Sequence, residues 1–286
     1  MNHESRIVSV RHNVPSMNDN RRVALGIVRG AGGAIIFALP LLMTMEMWQL
    51  GFTMERSRLA LLVIVLLPTL ILLSYHAGFE PTASLRDDVI DAFVAYGIGF
   101  GASALVLWLL GIVTTETSFS NAVGQITVQT VPASIGAMLA RSLLGGEHAD
   151  DDQRPTSSYA GEVFIMTVGA LFLAFSIAPT EEVLIITFRL SAVSTILLAL
   201  VSVALMHAFV YAVEFRGQIQ RAAYTTAAGE FLRLTVVGYA VSLLVSGYVL
   251  WTFGRADGLH PAELARASVV LGFPAAIGAA AARLIL

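Results

Sequence analysis

The sequence predicts an all-α fold: a polytopic transmembrane helical bundle with eight spans, built as two parallel four-helix repeats. Hydrophobic residues make up 56% of the 286 positions and charged residues only 13%, whereas soluble domains carry roughly 25% charged residues. Uncharged apolar stretches recur along the chain, and about 20 such residues cross a bilayer. The two halves also match each other in register. Too few charges remain to cover a soluble surface, so the chain is predicted to face lipid.

Eight apolar stretches follow one another, each long enough to be a membrane-crossing helix. They lie at residues 24–49, 58–77, 89–113, 121–144, 160–180, 190–213, 230–253 and 264–286. The fourth is the most polar, because Gln125 and Gln129 lie in its first half. The segment 180–190 is predicted to be a short connection or a continuation of a neighbouring helix. The chain is thus divided into a cytoplasmic tail (1–23), a first membrane repeat (24–144), an acidic cytoplasmic linker (145–159) and a second repeat (160–286).

The arginine distribution predicts the orientation. With the N-terminus in the cytoplasm, ten arginines fall in inner segments and five in outer loops, as the positive-inside rule requires. No cleavable signal peptide is expected, because the first 22 residues are polar. We therefore expect a multi-pass protein of the bacterial inner membrane with both termini cytoplasmic; seven spans, the alternative, would place the C-terminus outside.

Composition also limits the chemistry. There is no cysteine, so disulfides and thiolate metal sites are excluded. All 17 basic residues are arginine. Because a P-loop needs a lysine, ATP-driven transport through a P-loop in this chain is excluded. We expect no cofactor and no nucleic-acid partner. The expected partners are the lipid bilayer and an unidentified small ion or solute, and small-residue helix faces make a homodimer plausible.

Internal similarity is the strongest signal in the sequence. PASIGAMLARSLL at 132–144 and PAAIGAAAARLIL at 274–286 share eight of thirteen residues. YGIGFGASALVLWLLG at 96–111 matches YAVSLLVSGYVLWTFG at 239–254, and 33–48 matches 169–184 in the same order. Compositional bias could explain shared alanines but not proline, arginine, tryptophan and tyrosine in register. Repeats with an even number of spans insert in the same direction, and are related by an axis along the membrane normal.

Two glutamates occupy equivalent positions in the repeats. Glu46 and Glu182 each stand two residues after a threonine, Thr44 and Thr180. A carboxylate inside a membrane is costly and usually faces the bundle interior or water. These four residues are candidates for binding an ion or relaying protons; alternatively, the glutamates lie hydrated at the headgroups.

Two histidines and two prolines also recur. His76 and His207 lie near the inner ends of the second and sixth spans, and a histidine can carry a proton near neutral pH or simply bond a backbone carbonyl where helices pack. Pro132 and Pro274 lie within the fourth and eighth spans. A proline frees a carbonyl and can break a helix, and matched broken helices point to transport sites. A packing kink is the alternative.

Two family resemblances follow. RGAGGAIIFALPLLMTMEMW at 29–48 resembles the opening of a bacterial family of integral membrane proteins without an assigned activity, over most of the chain. APTEEVLIITFR at 178–189, with His207, is similar to the motif of CAAX-type intramembrane proteases, in which glutamates and histidines activate water. Six residues separate Glu182 from Arg189 here, where that motif has three, and the first repeat lacks the glutamate pair.

Three functions follow from these patterns. The first is a transporter or channel for protons, cations or a small solute, with its site between the repeats. The second is a non-catalytic membrane scaffold or sensing subunit. The third is an intramembrane hydrolase that requires Glu181, Glu182 and His207. No catalytic residue or metal site is assigned from the sequence.

Overall fold

A computed structural model describes residues 17–77, 84–144, 158–214, 229 and 231–285. Residues 1–16 of the predicted tail (1–23) and residues 145–157 of the predicted linker (145–159) lie outside the described residues. The regular structure of the described part is helical, without strands.

Long helices alternate with two short ones. The helices are α1 (Met17–Leu42), α2 (Met45–Thr53), α3 (Arg56–Ala77), α4 (Leu85–Leu109), α5 (Phe119–Leu144), α6 (Tyr159–Ile177), α7 (Glu182–Arg189), α8 (Ala192–Glu214), α9 (Val237–Thr252) and α10 (Pro261–Ile285). A π-helical turn, Phe231–Val236, leads into α9.

Seven of these helices are long and apolar enough to cross a membrane. They are α1, α3, α4, α6, α8, α9 with its π-helical turn, and α10. Large apolar side chains on their outer faces are open, including Val193, Leu200 and Leu244 at 67%, 60% and 75% exposure. Such side chains would be unfavourable in water but suit a lipid environment. The chain is therefore a multi-pass membrane protein.

Helix α5 is the central element of the first half. It packs against α1, α2, α3 and α4, and every residue from 127 to 140 is buried. The helix fails as a membrane span by hydropathy because it carries Gln125, Thr127, Gln129 and Thr130. These polar side chains are tolerated because they face other helices and not lipid.

Close helix crossings are made by pairs of glycines. In the first half, a Cβ on Gly136 would collide with the carbonyl oxygen of Gly33 on α1. In the second half, a Cβ on Gly278 would collide with the carbonyl oxygen of Gly169 on α6. Glycine at these positions lets two backbones touch, as is common in membrane bundles.

Two predicted boundaries are wrong. The predicted first span, 24–49, is two helices, because α1 ends at Leu42 and α2 begins at Met45. The predicted connection at 180–190 contains a helix of its own, Glu182–Arg189. Both departures have the same form: a long helix followed by a short one after a brief interruption.

One end of the bundle, here called the short-helix end, gathers α2, α7, the start of α5 and the α9–α10 connection. Arg56 connects α2 to the start of α5, because it donates to Gly51 O at 3.2 Å and to Ser120 Oγ at 3.0 Å. Arg255, in the α9–α10 connection, donates to Pro179 O just before α7. At the opposite end, α10 meets the start of α6, where Arg283 lies 3.6 Å from Glu162.

Side chains join the two halves at three levels. At the short-helix end Arg58 on α3 makes two hydrogen bonds to Asp257, at 2.9 and 3.0 Å. In the middle, the rings of Phe37 and Phe172 meet edge to face with centroids 5.1 Å apart. At the opposite end His76 packs on α6, with its ring centroid 5.4 Å from that of Phe164.

Candidate functional site

The interruption between α1 and α2 is closed by side chains. The last carbonyls of a helix have no partner within the helix. Thr44 Oγ1 donates to Pro40 O at 2.6 Å, and the Thr44 amide donates to Leu41 O at 3.0 Å. The indole N–H of Trp48 reaches back from α2 to Leu42 O at 2.7 Å. The carbonyl end of α1 is therefore satisfied although the helix stops among other helices.

Two glutamines on α5 complete this closure. Gln129 donates its amide N–H to Leu41 O at 3.0 Å, and Gln125 donates to Trp48 O at 3.2 Å. Each partner is a carbonyl oxygen, which only accepts, so each glutamine must present its NH2 group there. The orientation of both amides is fixed by this requirement.

The amide oxygens of these glutamines are left over. Gln129 is fully buried and Gln125 is 5% exposed. In the part of the chain that the structure describes, neither Oε1 atom has a hydrogen-bond partner. Buried polar atoms are nearly always paired. The first interruption therefore has two buried hydrogen-bond acceptors one helical turn apart. A hydrogen-bond donor or a cation would satisfy them.

The interruption between α6 and α7 is closed differently. Arg255 donates from its guanidinium to Pro179 O, and Thr180 Oγ1 donates to Ile177 O at 2.9 Å. Glu182 opens α7 and is exposed. A hydrogen bond from its own backbone amide and the charge of Arg255 hold the pKa of the Glu182 carboxyl below its ordinary value. At neutral pH this carboxyl is ionised, which suits cation attraction better than proton relay.

The predicted threonine and glutamate pairs lie at matching places. Thr44 immediately precedes α2, and Glu46 lies in its first turn, half-buried. Thr180 and Glu182 hold the corresponding positions before and at the start of α7. Both pairs therefore lie at the short-helix end, each beside a helix interruption. Among the described residues Glu46 forms no ion pair.

The predicted histidines lie at the opposite end. His76 Nδ1 is 2.8 Å from Leu72 O, one turn earlier in α3, so this nitrogen carries the proton and Nε2 faces Gly161 on α6. His207 Nδ1 is 3.0 Å from Thr235 Oγ1 in the π-helical turn, and its ring packs on Phe231 with centroids 5.0 Å apart. Both histidines contact neighbouring helices, and neither shares a site with the glutamates.

The predicted helix breaks at Pro132 and Pro274 do not occur, because α5 and α10 continue through them. Each proline still lacks the N–H that would bond the carbonyl four residues earlier. Those carbonyls belong to Val128 and Val270.

The residues of the hydrolase hypothesis do not come together. Glu181 and Glu182 lie at the short-helix end, where α7 begins. His207 lies fifteen residues into α8, which is about 22 Å along the helix axis at 1.5 Å per residue. A single water or metal could not contact both groups.

Several important residues were not singled out from the sequence. Trp48 had no marked role, and Gln125 and Gln129 were treated only as a polar helix lining. Arg58 is one of several arginines at the start of an apolar stretch, yet it also donates to Trp251 O at 2.7 Å, and its guanidinium lies 5.0 Å from the Trp251 ring centroid. Their partners are distant in sequence. The sequence signal for these residues is a basic or amide side chain in or beside an apolar span, where its polar group needs a partner.

A comparison with protein families finds a match over residues 26–286 to the family described as "Putative integral membrane protein (DUF2391)". The comparison with curated proteins finds no match. That with solved structures finds none either.

Proposed function

The chain belongs to this family of integral membrane proteins, and on that premise we propose that it is a transporter or channel for a small cation, proton or solute. The single observation that carries the proposal is the pair of interrupted helices. Each interruption leads into a short helix through a Thr–x–Glu sequence whose threonine precedes the helix and whose glutamate lies in its first turn, at the same end of the bundle. Paired discontinuous helices in corresponding places mark binding sites in many transporters.

The proposal includes a duplicated architecture of eight spans with α5 as the additional crossing helix. Both halves follow the order long, short, long, long, long: α1 to α5, then α6 to α10. The contact of Gly33 with Gly136 has its counterpart in the contact of Gly169 with Gly278. These are the residues that the alignment of the two halves pairs with each other. A single-copy bundle would have no reason to repeat this glycine crossing.

The ends of α4 and α9 support the same conclusion. Gly111 and Gly254 adopt positive φ angles of 70° and 73°. Their amides donate to Trp108 O and Trp251 O, each at 3.0 Å. Glycine after a helix end in this left-handed conformation is a common cap, but the same tryptophan at the same distance supports a common origin of the two halves.

The two halves would be the moving bodies of the transporter. In the proposed cycle the Arg58–Asp257 pair closes the short-helix end, over a cavity of about 290 Å³ that both residues line. The glutamates stand at this end and would draw a cation toward it. Both termini would lie in the cytoplasm of a bacterial cell, on the side opposite the short helices.

The test is flux into proteoliposomes. Wild-type protein should move protons or monovalent cations down an imposed gradient, and Glu46→Gln with Glu182→Gln should abolish that flux while leaving the detergent elution peak unchanged. Glu116→Gln is the matched control, because Glu116 lies at the same end in the exposed α4–α5 connection. It should retain flux.

One result would overturn the proposed transport, and another would overturn the role given to the glutamates. Wild-type protein without flux under any imposed gradient would favour a scaffold or sensing role, to be pursued through co-purifying partners. Equal flux in the double variant and in wild type would remove the glutamates from the site.

A further inference from the structure

The buried face of α5 carries acceptors without matching donors. Gln125 Oε1 and Gln129 Oε1 are buried and have no partner among the described residues. Their Cβ atoms lie about 5–6 Å apart, as for any residues one helical turn apart. Pro132 lies on the same stripe and has no N–H to offer the carbonyl of Val128. Three neutral oxygens therefore belong to one face of one buried helix.

We propose that this stripe, Gln125, Val128, Gln129 and Pro132, binds a monovalent alkali cation stripped of most of its water. Oxygen atoms are the ligands that hard cations prefer, and backbone or amide carbonyls can replace a hydration shell. All three oxygens are neutral, so one positive charge is the most that this set would hold in a buried place. This inference rests on the proposed function for its purpose, and it names the substrate or coupling ion.

The second half lacks this set. Aligned with the sequence repeat, Gln125 and Gln129 correspond to Ala267 and Leu271, both fully buried, while Val270 and Pro274 are retained. There the helix interruption receives the guanidinium of Arg255, a tethered positive charge. The first half has Ile112 at the position of Arg255. One repeat thus carries a built-in cation at its interruption, and the other carries acceptors for a mobile one.

The two amides also tie the stripe to the interruption. Their N–H groups hold Leu41 O and Trp48 O, which belong to α1 and α2. A cation bound by the two Oε1 atoms would hold both side-chain amides in place. Because the same amides bond α1 and α2, the packing of α2 against α5 would tighten. Cation binding is therefore expected to stabilise the fold, and this can be measured without any transport.

The first experiment measures thermal unfolding and radioactive Na⁺ binding of purified protein in detergent. Titrations with NaCl and KCl are compared with N-methylglucamine chloride at constant ionic strength. We expect a saturable rise in melting temperature with Na⁺ or K⁺ and none with N-methylglucamine, an organic cation too large for the site. Equal curves for all three salts would overturn the proposal.

The second experiment assigns the site by a matched pair of substitutions. Pro132→Ala supplies the missing N–H to Val128 O and leaves both glutamines in place. The new N–H would compete with the cation for Val128 O, and the loss of this one oxygen ligand should weaken cation affinity about tenfold. Pro274→Ala makes the same change where Ala267 and Leu271 replace the glutamines, and should leave affinity unchanged. Equal effects of the two substitutions would refute the assignment.

A third variant separates the site from the fold. Gln125→Met with Gln129→Met should abolish the cation-dependent stabilisation, but it also removes two bonds to α1 and α2. The proline pair is therefore decisive if this variant does not fold. Saturable binding without flux would refute the proposed transport function and leave this site standing. Flux without saturable binding would do the reverse.

Discussion

At the scale of single residues, glycines on buried and lipid-facing sides should respond oppositely to alanine. A Cβ on Gly136 would lie 2.5 Å from Phe37 Cβ and against the backbone of Gly33. Gly136→Ala should therefore destabilise the protein by about 1–3 kcal/mol, the usual cost of overpacking. Gly101 on α4 is exposed, with nothing within 4 Å of the place that an alanine methyl would occupy. Gly101→Ala should stabilise by up to about 1 kcal/mol through helix propensity.

Thermal unfolding of both variants in the same detergent tests this contrast. A neutral Gly136→Ala would mean that α1 and α5 are not held at backbone contact. Gly278→Ala extends the test to the second half, where the contact is with Gly169 and Leu173.

Single residues also show the limit of sequence reasoning about the site. The Thr–x–Glu positions could be found because the two halves of the sequence align there, and the structure places both beside the start of a short helix. The unpaired oxygens of Gln125 and Gln129 could not be found, because they depend on which group each amide faces. That choice is made by carbonyls of residues 41 and 48, far away in the chain.

At the scale of elements, the interruption after α1 depends on one indole. Trp48 Nε1 donates to Leu42 O, and phenylalanine would fill most of the same space without an N–H. Trp48→Phe should cost about 1–3 kcal/mol, because it leaves a carbonyl unpaired at a partly buried helix end. Trp108→Phe is the control, because Trp108 is 61% exposed at the end of α4 and its loss should change little.

Melting temperature is again the measurement. If both tryptophan variants unfold together with wild type, α2 is held by its apolar contacts alone. The interruption would then not need the indole.

The same element explains why a continuous span was predicted over 24–49. Leu42, Met43 and Met45 are all apolar, so hydropathy shows no boundary there. Pro40 does not mark the end of α1 either, because the helix continues past it. At the interruption the last carbonyls of α1 accept from Thr44, Trp48 and Gln129, and hydropathy carries no information about such hydrogen bonds. Helix α5 has the opposite problem. Its glutamines and threonines lower its hydropathy although every residue from 127 to 140 is buried.

At the scale of the whole molecule, the join between the halves at the short-helix end is small and polar. Arg58 is nearly buried, with 15% of its side chain exposed, while Asp257 is 57% exposed. Ion pairs that water can reach are weak, and Asp257 is open to water, so this pair could break and re-form during the proposed transport cycle. The edge-to-face contact of Phe37 with Phe172 lies deeper and is apolar. These two contacts suit a hinge near the ring pair and opening at the short-helix end.

Cross-linking tests this motion directly, because the natural chain contains no cysteine. Arg58→Cys with Asp257→Cys, joined by a short reducible bifunctional reagent, should lose flux when cross-linked and regain it on reduction, since the halves could no longer separate. Thr114→Cys with Thr117→Cys is the control pair: their hydroxyls lie 3.3 Å apart at the same end, within the first half. Cross-linking there should leave flux intact. Undiminished flux through the Arg58–Asp257 cross-link would mean that this end stays closed during transport, and that the path does not run between the halves there.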